Sequence, residues 1–373
     1  MKVICERSTL VDALGDISRV VPQRNAAEAL RCVHLVAGDG RLGLAASDAE
    51  IGLRMSIDQV DIEQPGEALV PADRLTEIVR SCDDPSLTLQ TDGDQLEVRS
   101  ARGYFVVYGM DTAQAFKVPS GPADGQDVTI SFTIEAGALG RLVDRTIFAA
   151  ATENLRYAVN GVLMQRQDRT LRLVATDGHR LAVADGKTLQ GAGDGRAIVP
   201  VKALSVLSRL MDAPDLPVDV RYTETQGFFR VGEGPSAAEL STNLVEGVFP
   251  PFEDVIPKDH DKKVTANVEV LARALQQASL YTNKESRGVR MSFDDHAVKL
   301  TSRVPDEGAA EVTVDLDYEG EPISIGFNAG YLTEALKVID GGEMTLELKA
   351  DNKPGVLRTG SEFTYVIMPL HLQ

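Results

Sequence analysis

The sequence contains no tryptophan, few aromatic residues and only three cysteines. The cysteines, Cys5, Cys32 and Cys82, form no CxxC pair, and an odd number leaves one thiol without a disulfide partner however the others pair. This usage is typical of a protein in a reducing compartment. We therefore expect all three thiols to pack in the core.

Long apolar runs are also missing. No segment offers the roughly 20 consecutive apolar residues that a membrane-spanning helix needs. The first residues, MKVICERSTL, place Glu6 and Arg7 where a signal peptide would carry its apolar stretch. The sequence therefore predicts a cytoplasmic protein with no membrane partner.

The motifs of several enzyme classes are absent as well. The chain has five histidines, but it holds no HExxH, glycine-rich phosphate loop, GxSxG or Cys/His cluster. Metal and nucleotide chemistry therefore have no support in the sequence. We expect no cofactor.

Positive charge is in short supply. Lys and Arg number 38 against 56 Asp and Glu, so the formal net charge is −18. Tight binding of a polyanion over the whole surface would need a basic side chain for each counterion released. A nucleic-acid role must therefore be local or topological.

What the chain does have is a threefold internal repeat. The helix-like pattern TLVDALGDISRVV recurs as ALGRLVDRTIFAA and as VLARALQQASLYT. A second pattern, VPADRLTEIVR, returns as VPVKALSVLSRL and FNAGYLTEALKVI. The leucines aligned in these patterns are 128 to 132 residues apart, a domain-sized period that exceeds a solenoid unit. At 373 residues, the chain is also long enough for two or three domains.

Between and after its two helices, each repeat alternates apolar and polar residues around turn residues. The first set, HLVAGDGRLGLAASD, VLMQRQDRTLRLVATD and RMSFDDHAVKLTSR, predicts three hairpins. The second set, LTLQTDGDQLEVRS, VDVRYTETQGFFRV and LELKADNKPGVLRT, predicts three more. The predicted class is α+β, with two helices per repeat covering one face of an antiparallel sheet. The stretches KVPSGPADGQD and FPPFEDVIPKDHDK are predicted to be linkers.

The predicted helices differ in charge from the rest of the chain. Their six windows hold ten Lys and Arg against seven Asp and Glu, although the whole chain is strongly acidic. Helices gathered on one wall would make that wall mildly basic. Ordinary solvated helix faces explain the same numbers equally well.

The segment VATDGHRLAV concentrates reactive side chains, because Thr176, Asp177, His179 and Arg180 fall within five positions. A catalytic site would need further groups converging from elsewhere in the fold. The first repeat carries Ser-Asp at the same place, in AASDAEIGLRM. The pair is therefore predicted to form a strand-end turn in which Asp bonds its own backbone.

Seven stretches, taken in order, carry a resemblance that spans the chain: RYAVNGVL with VATDGHRLAV, IVPVKAL, VEGVFPPF, NKESRGVRM, IGFNAGYL and YVIMPLHL. Together with the threefold repeat, they resemble the bacterial DNA sliding clamp, the beta subunit of DNA polymerase III. The resemblance implies three clamp-type domains, over residues 1–122, 123–253 and 254–373. It also implies a head-to-tail homodimer that closes into a ring, with helices lining a hole around double-stranded DNA.

The function implied is that of a non-catalytic processivity factor in DNA replication, which tethers the replicative polymerase, the clamp loader and other proteins. Their short motifs would enter an apolar pocket, for which the resemblance implies Val159, Thr176, Gly178, His179, Arg180, Leu181, Pro250, Val255, Asn328, Tyr331, Val366, Met368, Pro369 and Leu370. The DNA-facing residues implied are Arg24, Arg80, Arg141, Arg145, Tyr157, Lys202, Arg209, Arg273 and Lys337. The dimer interface implied comprises Arg74, Phe105, Val107, Leu280, Tyr281 and Glu311, with Arg74 pairing with Glu311.

The chain departs from the family pattern at several positions. Asp254 replaces an arginine at the pocket rim, His371 replaces a terminal arginine, and Ala158 replaces the second residue of a tyrosine pair that begins at Tyr157. Two other readings stay open on the sequence. One is an enzyme that uses Asp177 and His179, and the other is a ring-like or modular scaffold that binds proteins without encircling DNA.

Overall fold

A computed structural model describes residues 1–22, 27–151, 159–283 and 287–372. These residues form six α-helices. The helices are α1 (Arg7–Ile17), α2 (Ala72–Ser81), α3 (Ala136–Asp144), α4 (Val201–Leu210), α5 (Val268–Ala278) and α6 (Ala329–Lys337).

Twenty-seven strands accompany the helices in the described residues. The first repeat contains β1 (Lys2–Glu6), β2 (Cys32–Gly38), β3 (Arg41–Ser47), β4 (Ile51–Ile57), β5 (Val60–Gln64), β6 (Gly66–Pro71), β7 (Ser86–Asp92), β8 (Gln95–Arg99) and β9 (Tyr104–Tyr108). The second contains β10 (Ile130–Glu135), β11 (Gly161–Gln167), β12 (Thr170–Thr176), β13 (Arg180–Lys187), β14 (Gln190–Ala192), β15 (Gly195–Pro200), β16 (Pro217–Tyr222), β17 (Gln226–Val231) and β18 (Ala238–Asn243). The third contains β19 (Lys262–Asn267), β20 (Gly288–Asp294), β21 (Ala297–Val304), β22 (Gly308–Asp315), β23 (Asp317–Glu319), β24 (Ile323–Asn328), β25 (Glu343–Leu348), β26 (Gly355–Thr359) and β27 (Phe363–Ile367).

The chain divides into two compact units that cut across the second repeat. Unit 1 comprises Met1–Gly140, Gln167–Arg169 and Thr188–Val245. Unit 2 comprises Arg141–Arg166, Thr170–Lys187 and Glu246–Gln373. The three domains of the sequence analysis are a different division, and their boundaries stay a prediction.

Unit 1 is built on two antiparallel sheets. One has the strand order β5-β1-β7-β8-β9, and the other runs β14-β10-β16-β17-β18-β4-β3-β2-β6. Helices α1 and α2 pack against each other, and α1 also lies on β3 and β4. Leu10 and Leu14 of α1 are fully buried, as are Leu35, Leu42 and Leu44 of the sheet. Helical spacing on α1 and alternation along the strands thus fill one core.

Unit 2 also combines antiparallel sheets with a pair of packed helices. One sheet contains the run β11-β12-β13-β27-β26-β25-β19-β23, and the other has the order β22-β21-β20-β24. Helices α5 and α6 pack together, and α5 also contacts β21 and β22. The largest fully buried side chains of this unit are aromatic: Phe293, Phe327, Phe363 and Tyr365.

The predicted repeat is confirmed element by element. The six predicted hairpins are β2–β3, β11–β12, β20–β21, β7–β8, β16–β17 and β25–β26. The first helix of each repeat ends earlier than its sequence pattern does. A hydroxyl near each end, on Ser18, Thr146 or Ser279, donates to the carbonyl oxygen four residues back. Such back-bonding competes with continuation of the helix.

Neighbouring repeats share sheets. Strand β18 of the second repeat pairs with β4 of the first, and β27 of the third pairs with β13 of the second. We call these pairings the first and second junctions. Each lies within a single unit. They explain why compact units and sequence repeats do not coincide.

Two further expectations can be compared with the structure. The three cysteines are buried as free thiols, as predicted. None of the helices in the described ranges is both long and apolar enough to cross a membrane.

Candidate functional site

The turn between β12 and β13 builds one end of the second junction. Asp177 Oδ1 accepts hydrogen bonds from the amides of His179 and Arg180, at 2.9 and 3.1 Å. Thr176 Oγ1 donates to the carbonyl oxygen of Arg180 at 2.6 Å and accepts from the amide of Gly178 at 3.1 Å. Gly178 has a φ of +88°, which glycine adopts without strain. The Thr-Asp pair therefore holds the turn, as the sequence predicted.

The first repeat contains the same turn. Ser47 Oγ donates to the carbonyl of Ile51 at 3.1 Å, and Asp48 Oδ1 accepts from the amides of Glu50 and Ile51 at 3.0 and 2.7 Å. In the first repeat, Glu50 and Ile51 stand at the places of His179 and Arg180. Because the same hydrogen bonds form without the histidine and the arginine, they are a structural feature of the repeat. His179 and Arg180 are what the second repeat adds.

Arg180 ties this turn to two helical segments of unit 2. Its Nε donates to Asp177 at 2.9 Å, and one terminal nitrogen donates to the carbonyl oxygen of Phe148 at 2.6 Å. The other terminal nitrogen pairs with Glu334 of α6. The guanidinium carbon lies 4.2 Å from the ring centroid of Tyr331 and 5.5 Å from that of Phe148. This side chain is only 9% exposed, so its positive charge is almost fully enclosed.

The surroundings of Arg180 keep it charged. Burial opposes the charged form, but the hydrogen bond to Glu334 and the nearby negative charges outweigh burial and raise the pKa of Arg180. Asp177 is engaged with backbone amides and with this guanidinium, and not with the His179 ring. The cluster therefore holds the turn and one wall of the adjoining surface in place.

A cavity of about 260 Å³ opens beside the turn, within unit 2. Leu181 and Val366 are paired across β13 and β27 and are buried at its floor. Val255 and Met368 are both partly exposed at its rim. The lining residues are Val159, Thr176, Asp177, Gly178, His179, Arg180, Leu181, Pro250, Pro251, Phe252, Val255, Val366 and Met368. A mostly apolar cavity with few oriented polar groups is typical of a ligand site.

Four residues predicted for the pocket do not line this cavity. Asn328 caps α6, where its side chain accepts from the amides of Gly330 and Tyr331 at 2.9 and 3.3 Å. Tyr331 lies against the Arg180 guanidinium. Pro369 and Leu370 follow Met368 but are not among the lining residues. Tyr331 therefore contacts the lining residue Arg180, and Asn328 fixes the start of the helix that carries Tyr331.

Three of the lining residues were not predicted for the pocket. Asp177 was predicted only as a turn residue, and Pro251 and Phe252 were not singled out. The tandem Pro250-Pro251 fixes an extended segment, and the buried Phe252 ring packs edge-on against Phe249. The rigid Pro-Pro-Phe stretch is the sequence feature that indicates these two residues as part of the pocket.

The C-terminal segment closes the other side of the cavity. The amide of Met368 donates to the carbonyl of His179 at 2.9 Å, and that of Leu370 donates to the carbonyl of Gly326 at 2.8 Å. A side chain at Gly326 would meet the Leu370 carbonyl oxygen and the Leu372 side chain. The segment is therefore anchored at three points, which leaves the Met368 side chain free at the rim.

The first junction pairs different residues at the place that corresponds to the cavity floor. The register that pairs Leu181 with Val366 at the second junction pairs Gly52 with Ser241 at the first. A Cβ on Gly52 would lie 2.9 Å from a methyl of Val118. Val118 of the linker thus lies against the Gly52–Ser241 pair, and the cavity of about 380 Å³ beside this junction is lined by other residues of the two strands, Arg54, Met55, Ser56 and Glu239 among them.

Comparisons with known proteins agree over the whole chain. The N-terminal, central and C-terminal domain models of the DNA polymerase III beta subunit match residues 1–118, 133–251 and 253–371. The chain belongs to the beta sliding clamp family. The beta sliding clamp of Caulobacter vibrioides is 33% identical over 384 residues, and that of Escherichia coli K12 is 30% identical over 376 residues, each match covering both chains fully.

Solved beta sliding clamps have the same fold. The clamp of Pseudomonas aeruginosa bound to griselimycin superposes with a TM-score of 0.91 at 30% identity, and that of Bartonella birtlesii bound to griselimycin with 0.90 at 31%. Both comparisons cover 100% of each chain. The predicted clamp fold is therefore confirmed.

Most of the basic residues predicted to face DNA are exposed on the helices of this clamp chain. The exposed members are Arg80, Arg141, Lys202, Arg209, Arg273 and Lys337. Four of the six occupy the last turn of a helix, where the helix dipole favours a positive charge, so the ordinary-helix explanation also has support. Lys202 forms an ion pair with Asp48.

The other residues in that prediction differ in their surroundings. Arg145 is 14% exposed and lies 3.9 Å from Asp340 and 3.6 Å from Glu362, so acidic partners already neutralise it. Arg24 and Tyr157 lie outside the described residues.

The residues predicted for the dimer interface occupy two places. Phe105 and Val107 belong to β9 at the end of a sheet of unit 1, with Val107 buried and Phe105 half-buried. Leu280 and Tyr281 follow α5 in unit 2, and Leu280 is 77% exposed. Arg74 and Glu311 are both exposed, and each has an ion-pair partner in its own unit. Their pairing with each other stays a prediction.

Proposed function

We propose that this clamp forms a head-to-tail homodimer that closes into a ring around double-stranded DNA in the cytoplasm. It acts as a non-catalytic processivity factor. Short apolar motifs of the replicative polymerase, the clamp loader and other DNA-processing proteins bind in the cavity beside Arg180.

The cavity is the observation that carries the partner-binding part of the proposal. Its floor and rim are apolar, while the Arg180 network fixes the turn that forms one wall. Met368 and Val255 at the rim provide adaptable apolar contacts, which suit a surface that serves several partners. Asp254 next to the rim adds a negative charge, so we expect a preference for motifs without acidic residues nearby.

The charge distribution supports topological retention on DNA. A chain with a net charge of −18 gains little from contact with a polyanion over its whole surface. Exposed basic side chains on the helices lower the cost of enclosing the duplex. They are Arg80, Arg141, Lys202, Arg209, Arg273 and Lys337.

Loading onto circular DNA tests the proposal. Labelled clamp is loaded onto a nicked plasmid by a clamp loader with ATP, and co-elution with the plasmid is followed by gel filtration. We expect direct binding to short linear duplex to be weak, about 10⁻⁴ to 10⁻⁶ M, and to fade with added salt. The same salt should leave loaded rings on the circle, whereas one restriction cut should release them.

The alternative is a scaffold that binds proteins without encircling DNA. It shares the repeat and the apolar cavity, so peptide binding does not separate it from a clamp. Failure to load onto the nicked circle, with peptide binding intact, would favour the scaffold. Retention on DNA with free ends would show that contacts, and not topology, hold the protein there.

A further inference from the structure

The turn between β3 and β4 in the first repeat binds a lysine of the second repeat. Asp48 Oδ1 accepts from the amides of the turn, and Asp48 Oδ2 forms an ion pair with Lys202 Nζ. Lys202 lies in the first turn of α4. Its Nζ also donates to the carbonyl oxygen of Val20, just after α1, at 3.3 Å. One ammonium group thus joins the turn and the end of the first helix in the first repeat to α4 in the second.

Arg180 makes an equivalent set of contacts at the second junction. Asp177 uses one oxygen for the amides of its turn and the other for the guanidinium. The guanidinium also reaches the carbonyl oxygen of Phe148, after α3, and Glu334 of α6. Each junction therefore joins a turn, the end of a first helix and the second helix of the next repeat through one cation. That cation comes from the helix at the first junction and from the turn at the second.

The two carbonyl oxygens hold the same place in their repeats. Val20 follows Ser18 by two residues, and Phe148 follows Thr146 by two. The hydroxyls of Ser18 and Thr146 both bond back into the first helix. Helices α1 and α4 also contact each other at the first junction. The correspondence with Arg180 thus extends to the position of the accepting carbonyl.

Lys202 occupies an unfavourable place for a cation on a helix. The first turn is the positive end of the helix dipole, whereas four of the other exposed basic residues on the helices occupy last turns, where the dipole favours them. The first turn of α4 has no acidic residue of its own. Asp48, which is 12% exposed, supplies the missing negative charge from the other repeat.

We infer that Lys202 is a positioning residue of the first junction, which holds α4 against the β3–β4 turn and the end of α1. It acts through Asp48 and Val20, and not through a DNA phosphate. The contact itself is independent of the proposed function. Its effect on DNA retention rests on the proposed ring, because a closed ring needs each internal junction of the chain to keep its geometry.

Hydrogen exchange of the full chain without DNA tests the contact. Lys202→Gln removes the charge but keeps a long polar side chain. We expect exchange about threefold faster at the amides around Val20 and in the β3–β4 turn, the size expected for a partly exposed ion pair. A weaker α4 cannot be the cause, since the change removes a cation from the positive end of that helix. Lys202→Arg should keep most of the protection.

Arg209→Gln is the matched control, because it removes the same charge from the last turn of the same helix. It should leave exchange around Val20 and in the β3–β4 turn unchanged. Unchanged exchange in Lys202→Gln would overturn the inference, and so would an equal increase in Arg209→Gln.

Asp48→Asn separates positioning from a direct DNA contact. Asparagine keeps an oxygen for the turn amides but loses the charge that binds Lys202. For clamps loaded onto a nicked plasmid, positioning predicts that Asp48→Asn and Lys202→Gln each shorten retention about threefold, and that the double variant shortens it no further.

A phosphate contact predicts opposite effects for the two substitutions. Asp48→Asn would then lengthen retention, because it removes a negative charge and frees the lysine for DNA. That result would overturn the inference. If the unmodified chain is not retained on the circle, the proposed ring fails, and hydrogen exchange alone decides whether Lys202 holds the junction.

Discussion

The Arg180 side chain joins three segments of unit 2 by hydrogen bonds. It holds the β12–β13 turn through Asp177, the short helical segment at Phe148 and helix α6 through Glu334. Arg180 was predicted to line the pocket, but its sequence neighbours do not explain why an arginine stands there. The structure supplies one, because only a planar, multi-donor cation reaches these partners and stacks on Tyr331.

Arg180→Lys should therefore weaken the pocket and leave the fold intact. A lysine cannot reach all three acceptors, so we expect a loss of about 2 kcal/mol in unfolding free energy. Because the turn is one wall of the cavity, affinity for a clamp-binding peptide should fall about tenfold, or 1.4 kcal/mol. Denaturant unfolding and fluorescence anisotropy with a polymerase-tail peptide measure the two effects.

Arg172→Lys is the matched control for Arg180→Lys. Arg172 makes a two-nitrogen fork to Asp185, with both distances at 2.7 Å, on the same hairpin, and it is not a lining residue of the cavity. Its replacement should leave peptide affinity unchanged. Equal loss of affinity in both variants would show that general destabilisation, and not the pocket wall, is responsible.

His260 predicts a pH dependence of stability. Its side chain is 10% exposed and 3.4 Å from Glu347. Burial lowers the pKa of His260, an effect that Glu347 opposes only in part. The unfolded chain therefore takes up this proton first, so the stabilising contribution is present above about pH 6.5 and is lost as the pH falls below that value.

Replacing His260 should reduce this acid sensitivity. We expect His260→Gln to show a smaller fall in melting temperature between pH 7.5 and pH 5.5 than the unmodified chain does. The exposed His296 provides the control, because His296→Gln removes the same kind of group from solvent. If the two variants respond alike to pH, burial of His260 is not the cause.

At the scale of elements, local patterning sufficed for the hairpins and for both helices of each repeat. It failed at helix ends, because a hydroxyl at Ser18, Thr146 or Ser279 can either continue a helix or bond back to it. The sequence patterns also did not predict that neighbouring repeats share sheets, since pairing of β18 with β4 depends on contacts between distant segments. The pocket was found only in part, since Pro250 and Val255 were predicted from this linker and their neighbours Pro251 and Phe252 were not.

The C-terminal segment is the element that a point substitution tests best. Removal of all residues after Ile367 would also strip Leu372 from its contacts with Gly288 and Gly326. Met368→Asp alters only a rim side chain that is 41% exposed. It should abolish peptide binding while changing the unfolding free energy by less than about 0.5 kcal/mol.

Val248→Asp is the control for Met368→Asp. Val248 is exposed just before the linker that supplies Pro250 to the cavity, but it does not line the cavity. Calorimetric titration with the peptide should distinguish the two variants. Retained affinity in Met368→Asp would place the partner site elsewhere.

At the scale of the whole molecule, one repeat is used in three ways. The first junction sets Ser241 opposite Gly52 with Val118 against the pair, and the second sets Leu181 opposite Val366 beneath an open cavity. The edge strands β9 and β22, which end their sheets in the described residues, hold residues of the proposed dimer interface. Changes of a few side chains on a common backbone thus separate an internal joint, a binding pocket and the proposed dimer interface.

This separation predicts that peptide binding and DNA retention can be uncoupled. The cavity is lined by residues of unit 2 of one chain, so it needs no second copy. Retention on circular DNA needs a closed ring. Leu280→Arg places a charge on a largely exposed side chain at the proposed interface, at little cost to the fold. We expect a monomer in sedimentation, unchanged affinity for the peptide and no co-elution with a nicked plasmid after loading.

Val128→Arg is the control, because it places the same charge on an exposed apolar residue outside the proposed interface. This variant should behave as the unmodified chain does. A Leu280→Arg dimer would remove Leu280 from the interface, and a monomer that stayed on the plasmid would show that DNA retention does not require ring closure.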